Sequence, residues 1–99
     1  MSCKLHIATE VKQDMLACND TARRQIRAFL LALQENPLPE GRRAMGEAAF
    51  YVQLPSGFYL SWEIIGNVLR LVLTGNCEGI LVRVLGVSRV LPPEKIGKK

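Results

Sequence analysis

Tyr51-Val52-Gln53-Leu54-Pro55-Ser56-Gly57-Phe58-Tyr59-Leu60-Ser61-Trp62-Glu63 alternates apolar and polar residues on both sides of a Pro-Ser-Gly break. Phe50, Val52 and Leu54 share one parity, and Tyr51 and Gln53 the other. Period two marks a half-buried strand. Pro55-Ser56-Gly57 supplies a turn. The alternation then resumes, with Phe58, Leu60, Trp62 and Ile64 on one face and Tyr59, Ser61 and Glu63 on the other. Trp62, on the apolar parity, is read as core packed against helices.

Working outward toward the C-terminus, Ile65-Gly66-Asn67 turns the chain again. Leu69, Leu71 and Leu73 alternate with Val68, Arg70 and Val72, which predicts a third strand. Thr74 to Gly79 is a loop. Ile80 to Val87 is a further apolar strand, interrupted by Arg83 and Gly86. The result is a meander of up to four strands. Its last two strands are apolar on both faces and belong in the middle of the sheet. Pro92-Pro93 stops the fold.

Toward the N-terminus the period changes. Residues 36–47 carry two prolines and two glycines and read as a connector without regular structure. Before it, Ala22, Ile26, Phe29, Leu30 and Leu33 recur at helical spacing, with Arg23, Arg24 and Arg27 off the stripe. Asn19-Asp20-Thr21 offers caps for this helix, and Asn36-Pro37 ends it. A shorter helix precedes it, with Val11, Met15 and Cys18 on one face and Thr9 as its expected cap. The two form a helical hairpin. Residues 3–7 alternate again, with Cys3, Leu5 and Ile7 opposite Lys4 and His6, and predict a short strand. The expected fold class is α+β: an N-terminal strand and a helical hairpin packed on an antiparallel sheet of three to five strands.

With 99 residues, 48% hydrophobic and 22% charged, the chain is globular and forms one domain over residues 1–91, followed by a basic tail at 92–99. A large multidomain enzyme and a dinucleotide-binding domain are excluded by size. The formal net charge of +4 permits a polyanionic or acidic partner. Cys3, Cys18 and Cys77 are widely spaced and odd in number, with no CxxC or Cys/His cluster, so neither a zinc site nor any other cofactor is expected. The start, Met1-Ser2-Cys3-Lys4-Leu5-His6, lacks a signal-peptide apolar region, and no stretch is long enough to span a membrane. The expectation is a cytoplasmic protein whose cysteines are reduced thiols acting as small apolar fillers.

The candidate site residues are basic and aromatic. Arg89, at the end of the last strand, reads either as a ligand for a phosphate or a partner's carboxylate, or as a surface ion pair with Glu63. Arg83 interrupts an apolar strand and must reach solvent, a carboxylate or a ligand, because a buried unpaired guanidinium is too costly. Arg70 has the same parity problem. These three arginines converge on one sheet face if the register allows it. Tyr59, on the polar face of its strand, is placed to stack on a nucleobase, or is simply half-exposed. Arg23, Arg24 and Arg27, followed by Arg42 and Arg43, form a basic strip for RNA or an acidic partner, or a solvated face. His6 is the lone histidine and has no evident acid–base partner.

The order of elements and several strings resemble the RelE/ParE superfamily of bacterial type II toxins. Gln34-Glu35-Asn36-Pro37 followed by Gly41-Arg42-Arg43 resembles that family's junction after the second helix. The string from Tyr51 to Glu63 resembles its strand–turn–strand, and Val84-Leu85-Gly86-Val87-Ser88-Arg89 its closing strand. The resemblance implies a toxin-like component of a toxin–antitoxin system. In the RelE-like branch, it would be directed at messenger RNA and translation on the ribosome, with an antitoxin as partner. It implies a ribonuclease that holds the scissile phosphate with Arg89, supported by Arg83, Arg70 and Tyr59. Where the family carries basic residues, this chain has Val52, Gln53 and Tyr59, which implies weak or lost cleavage. The stretch from Trp62 to Arg89 is longer than in the family, implying an added strand. The alternatives are a non-enzymatic binding module, such as a ParE-like gyrase inhibitor or a peptide-capturing sheet, and a domain that assembles only with itself, as a homodimer for instance.

Overall fold

The structure is a computed structural model that describes residues 2–92. The expected basic tail therefore lies outside the described residues, apart from Pro92. In chain order the elements are β1 (Lys4–Ile7), α1 (Thr9–Leu16), α2 (Asp20–Glu35), β2 (Arg43–Ala44), β3 (Ala49–Gln53), β4 (Tyr59–Ile65), α3 (Val68–Thr74) and β5 (Leu81–Ser88). The strands form one five-stranded sheet in the order β1-β5-β4-β3-β2. Neighbours run antiparallel except β1, which joins β5 in parallel. This is the expected α+β class, with the sheet mixed rather than wholly antiparallel.

The β3–β4 hairpin sets the register. The Leu54 N–H donates to the Phe58 carbonyl at 2.8 Å, and the Gly57 N–H donates to the Leu54 carbonyl at 2.8 Å. Gly57 takes φ +96°, a backbone region where a side chain is strained. Gln53 then faces Tyr59, Tyr51 faces Ser61, and Ala49 faces Glu63. Leu60, Trp62 and Ile64 are buried on the opposite face, beneath the helices. Trp62 is fully buried between Phe29 and Phe50, whose ring centroids lie 5.6 and 6.0 Å away. Its indole N–H donates to the Pro37 carbonyl at 3.0 Å, so the core tryptophan also anchors the exit from α2.

The helical stripe lies where the sequence placed it. Ala22, Ile26, Leu30 and Leu33 are buried on α2, and the Asn19 side chain accepts from the Ala22 N–H at 2.8 Å. For α1 the cap differs from expectation. Thr9 is the first helical residue and Ala8 the capping position, with no side-chain cap bond. β1 runs to Ile7, which leaves only Ala8 to turn the chain.

Three further expectations are corrected. The connector is not wholly irregular, because Arg43–Ala44 pairs with β3 as a two-residue edge strand. Residues 68–74 are a helix, not a third meander strand. The Asn67 side chain accepts from the Arg70 N–H at 3.0 Å, Gly75 closes the helix at φ +70°, and the Gly75 N–H donates to the Leu71 carbonyl at 2.8 Å. These caps outweigh the alternation of Leu69, Leu71 and Leu73, and of these only Leu71 is buried. The added strand expected between Trp62 and Arg89 is thus a helix. Finally, Cys3 and Cys77 are not reduced thiols. They form a disulfide across 74 residues, with Cα atoms 4.9 Å apart, because the parallel β1–β5 pairing carries the N-terminal segment to the loop before β5. Cys18 remains free and buried.

Candidate functional site

The helices cover one face of the sheet and leave the other uncovered. The register arranges the uncovered face in rows across the strands. One row is Arg43, Tyr51, Ser61 and Gly86, from β2 to β5. The next is Gln53, Tyr59 and Ser88. Toward the other end lie Ala49, Glu63, Arg83 and His6, the last contributed by β1. A register shift between Ser61 and Trp62 opens β5 by one residue, at Leu85. The resulting bulge lets both Gly86 and Arg83 share this face.

Tyr51 and Tyr59 meet edge to face, with ring centroids 6.0 Å apart, and both are half-buried. Beside them, a cleft of about 210 Å³ is lined by Tyr59, Ser61, Gly86, Ser88, Val90, Leu91 and Pro92. Its floor is Ser61, which is buried and whose hydroxyl donates to the Gly86 carbonyl at 3.4 Å. The chain beyond β5 is turned along the cleft by the Val90 N–H, which donates to the Ser88 hydroxyl at 2.9 Å. Arg83 forms an ion pair with Glu63 across the β4–β5 register. The face thus combines two aromatic rings with cations at both ends, Arg43 on one side and Arg83 on the other. These are groups of the types that can stack on bases and pair with phosphates.

The structure does not bring Arg70, Arg83 and Arg89 together. Arg70 lies on α3, where its guanidinium donates to Glu78 at 2.9 Å. Arg89 lies beyond β5 with its guanidinium over the Phe58 ring, 4.5 Å from the centroid. Its side chain stays near the helices, close enough for its charge to act on Cys18. Arg83, the partner of Glu63, and Tyr59 are on the uncovered face.

The basic strip divides in the same way. Arg23 pairs with Asp20 and donates to the Leu16 carbonyl at 3.0 Å. Arg24 and Arg27 are exposed on α2, behind the sheet. Arg42 donates to the Leu38 and Pro39 carbonyls at 3.2 and 3.1 Å and stacks on Phe50, 5.4 Å from the ring centroid. Only Arg43 of this group stands beside the tyrosines.

Sequence reasoning missed the Tyr51–Tyr59 pair, the buried Ser61 and the placement of His6 beside Arg83. The first two follow from the three-residue turn, which fixes the hairpin register. The third depends on a pairing between the two ends of the chain, for which no local signal exists. Among the described residues, no three His, Cys, Asp or Glu side chains gather as a metal set, and no helix is long and apolar enough to cross a membrane.

No protein-family model matches the chain, and no curated protein matches it in sequence. Solved structures do match in shape. The chain is similar to the isolated Escherichia coli RelE toxin at 20% identity and a TM-score of 0.68, covering 94% of this chain and 89% of that one. It is similar to a chain of the intact E. coli RelBE toxin–antitoxin complex at 19% identity and a TM-score of 0.69, covering 92% and 100%. An archaeal RelE–RelB complex from Pyrococcus horikoshii matches at 11% identity and a TM-score of 0.61, covering 98% and 100%. A likeness this extended at such low identity is one of backbone architecture, and the chain has the RelE-like toxin fold.

Proposed function

We propose that the protein is the toxin of a toxin–antitoxin pair, directed at RNA in translation, and that the uncovered sheet face is its working surface. The observation that carries this reading is the likeness of nearly the whole chain to RelE, both free and in complex with its antitoxin RelB. An antitoxin is accordingly the partner proposed here. The chemistry of the face supports the reading. Tyr51 and Tyr59 offer ring faces and edges to bases, and Arg43 and Arg83 flank them to meet the backbone.

The same face supports only weak cleavage. A phosphorane-like transition state needs several converging cations. Here the first hairpin strand presents Tyr51 and Gln53, Val52 is buried, and Arg89 is stacked on Phe58. Binding that blocks translation is therefore the main activity, with slow cutting at most. A translating bacterial extract tests this. Added protein should slow synthesis, and Tyr59→Ala should require about tenfold more protein, since stacking on one base contributes on the order of 1–3 kcal/mol. Synthesis at its normal rate with excess protein would overturn the proposal.

A further inference from the structure

We propose that His6 and Arg83 together hold one phosphate of a single-stranded RNA at the β1 end of the uncovered face. The inference rests on the RNA-directed reading for its ligand, but on its own residues for its place. His6 and Arg83 are register partners in the parallel β1–β5 pair, so their side chains rise from the same sheet face on adjacent strands. Both are exposed, and Lys4 follows on that face two residues before His6. Arg83 is anchored from its far side by Glu63 on β4. A guanidinium has five N–H donors, and the described bond to Glu63 uses Nη2 alone. The remaining donors stay available to meet a phosphate, while the ion pair favours an orientation of the side chain over β4 and β5. That limits the entropy lost on binding.

The choice of RNA over an isolated anion or an acidic peptide comes from what shares the face. Tyr51 lies two strands from Arg83, on the same side of the sheet and offset by about two residues. From strand spacing and rise, that is a separation of about 12 Å. A chain of a few nucleotides lying obliquely across β3, β4 and β5 would stack a base at the tyrosines and present a phosphate to Arg83 and His6. An acidic peptide has no use for the aromatic pair, and a free phosphate reaches only one end. His6 also brings a ring nitrogen able to donate to a phosphate oxygen or exchange a hydrogen bond with a neighbouring 2′-hydroxyl.

The chain has one histidine, so its ring protons give a single reporter in a proton NMR spectrum. A short single-stranded RNA titrated into the intact protein should shift that signal in step with binding. His6→Ala and Arg83→Ala should each weaken binding about five- to tenfold. Arg83→Gln, which can still bond to Glu63, should weaken it equally. Arg83→Ala should also flatten the slope of log affinity against log salt by about 0.7, the loss of one phosphate contact on a single strand. Lys12→Ala, on the exposed side of α1, should change none of these. The proposal is overturned if the His6 signal stays still at saturation, or if the Arg83 variants bind as the parent does. It is also overturned if inorganic phosphate binds as tightly as the RNA. The translation measurement separates the two ideas. Arrest without a His6 response rejects this site and spares the toxin reading, whereas a His6 response without arrest does the reverse.

Discussion

Two buried side chains show how much single residues carry. Trp62 fills the space between Phe29 and Phe50, and its indole N–H also satisfies the Pro37 carbonyl beneath the connector. Trp62→Ala should therefore cost about 3–5 kcal/mol. Trp62→Phe, which keeps much of the ring but orphans that carbonyl, should cost about 1–3 kcal/mol. Urea midpoints would rank the two. Cys18 is a different case. Burial pushes its thiol up from the ordinary value of 9.0, nearby Arg89 and Arg23 pull it back down, and Asp14 adds to the rise. Its Sγ–H donates to the Asp14 carbonyl at 3.3 Å. The folded state thus keeps its proton to higher pH than the unfolded chain does. The stability this contributes is intact below the unfolded thiol's value and is lost as pH rises beyond it. Chemical denaturation at pH 8 and pH 10 should show that loss, and Cys18→Ala should flatten it. At neutral pH the thiol should resist thiol reagents until the protein unfolds.

At the scale of elements, α3 is the least secured piece. It buries Leu71, half-buries Val68, and leaves Leu69, Val72 and Leu73 exposed. Its caps and the Cys3–Cys77 bond therefore contribute much of what holds it. Asn67→Ala should cost about 1 kcal/mol. Reducing the disulfide should cost about 2–4 kcal/mol, read as a fall in melting temperature with reductant that is absent from a Cys3→Ser, Cys77→Ser variant. Just before α3, Gly66 sits at φ +130°, and a Cβ there would meet the Gly79 carbonyl oxygen at 2.5 Å. No other residue fits without moving that backbone. The same segment marks where sequence stops being legible. The β3–β4 hairpin can be read because Pro55-Ser56-Gly57 pins its register and the twelve alternating positions of Phe50–Leu54 and Phe58–Ile64 agree around it. Over 68–73 only six residues vote. Leu69, Leu71 and Leu73 fit a strand, while Val68 and Leu71 fit a helix face equally well. The caps at Asn67 and Gly75 break the tie, and they are visible in the sequence once a helix is considered. The site was legible in its residue types but not in its grouping. Arg83 and Tyr59 belong to the face that the period-two pattern defines. Arg89 is drawn off by the Phe58 ring, and Arg70 by the helix.

For the molecule as a whole, the proposed working face is built on its most protected part. β5 and β4 are the interior strands that join β1 to β3, and Leu60, Trp62, Ile64, Val82 and Val84 beneath them are almost wholly inaccessible. Ser61, Glu63 and Arg83 rise from these strands, so their backbone positions are set by the core. His6 and Arg43 stand on edge strands, and Pro92 and the residues just before it border the cleft from beyond the sheet. A surface arranged this way has a centre fixed by the core and a rim on the edge strands; on the proposed reading, Arg83 and the Ser61 floor would set where a bound strand lies, and the edges would follow it. Hydrogen exchange tests this division because amide protection reports local opening. Amides of Leu60–Ile64 and Val82–Val87 should exchange last, near the rate set by global unfolding. Those of α3 and β2 should exchange earliest among the regular elements. Arg83→Ala changes a side chain that is exposed on a strand secured from below, so it should leave this pattern unmoved while weakening RNA binding. If the variant instead loosened β5, its effect on RNA would be structural, and the rigid centre would belong to the ion pair rather than to the core.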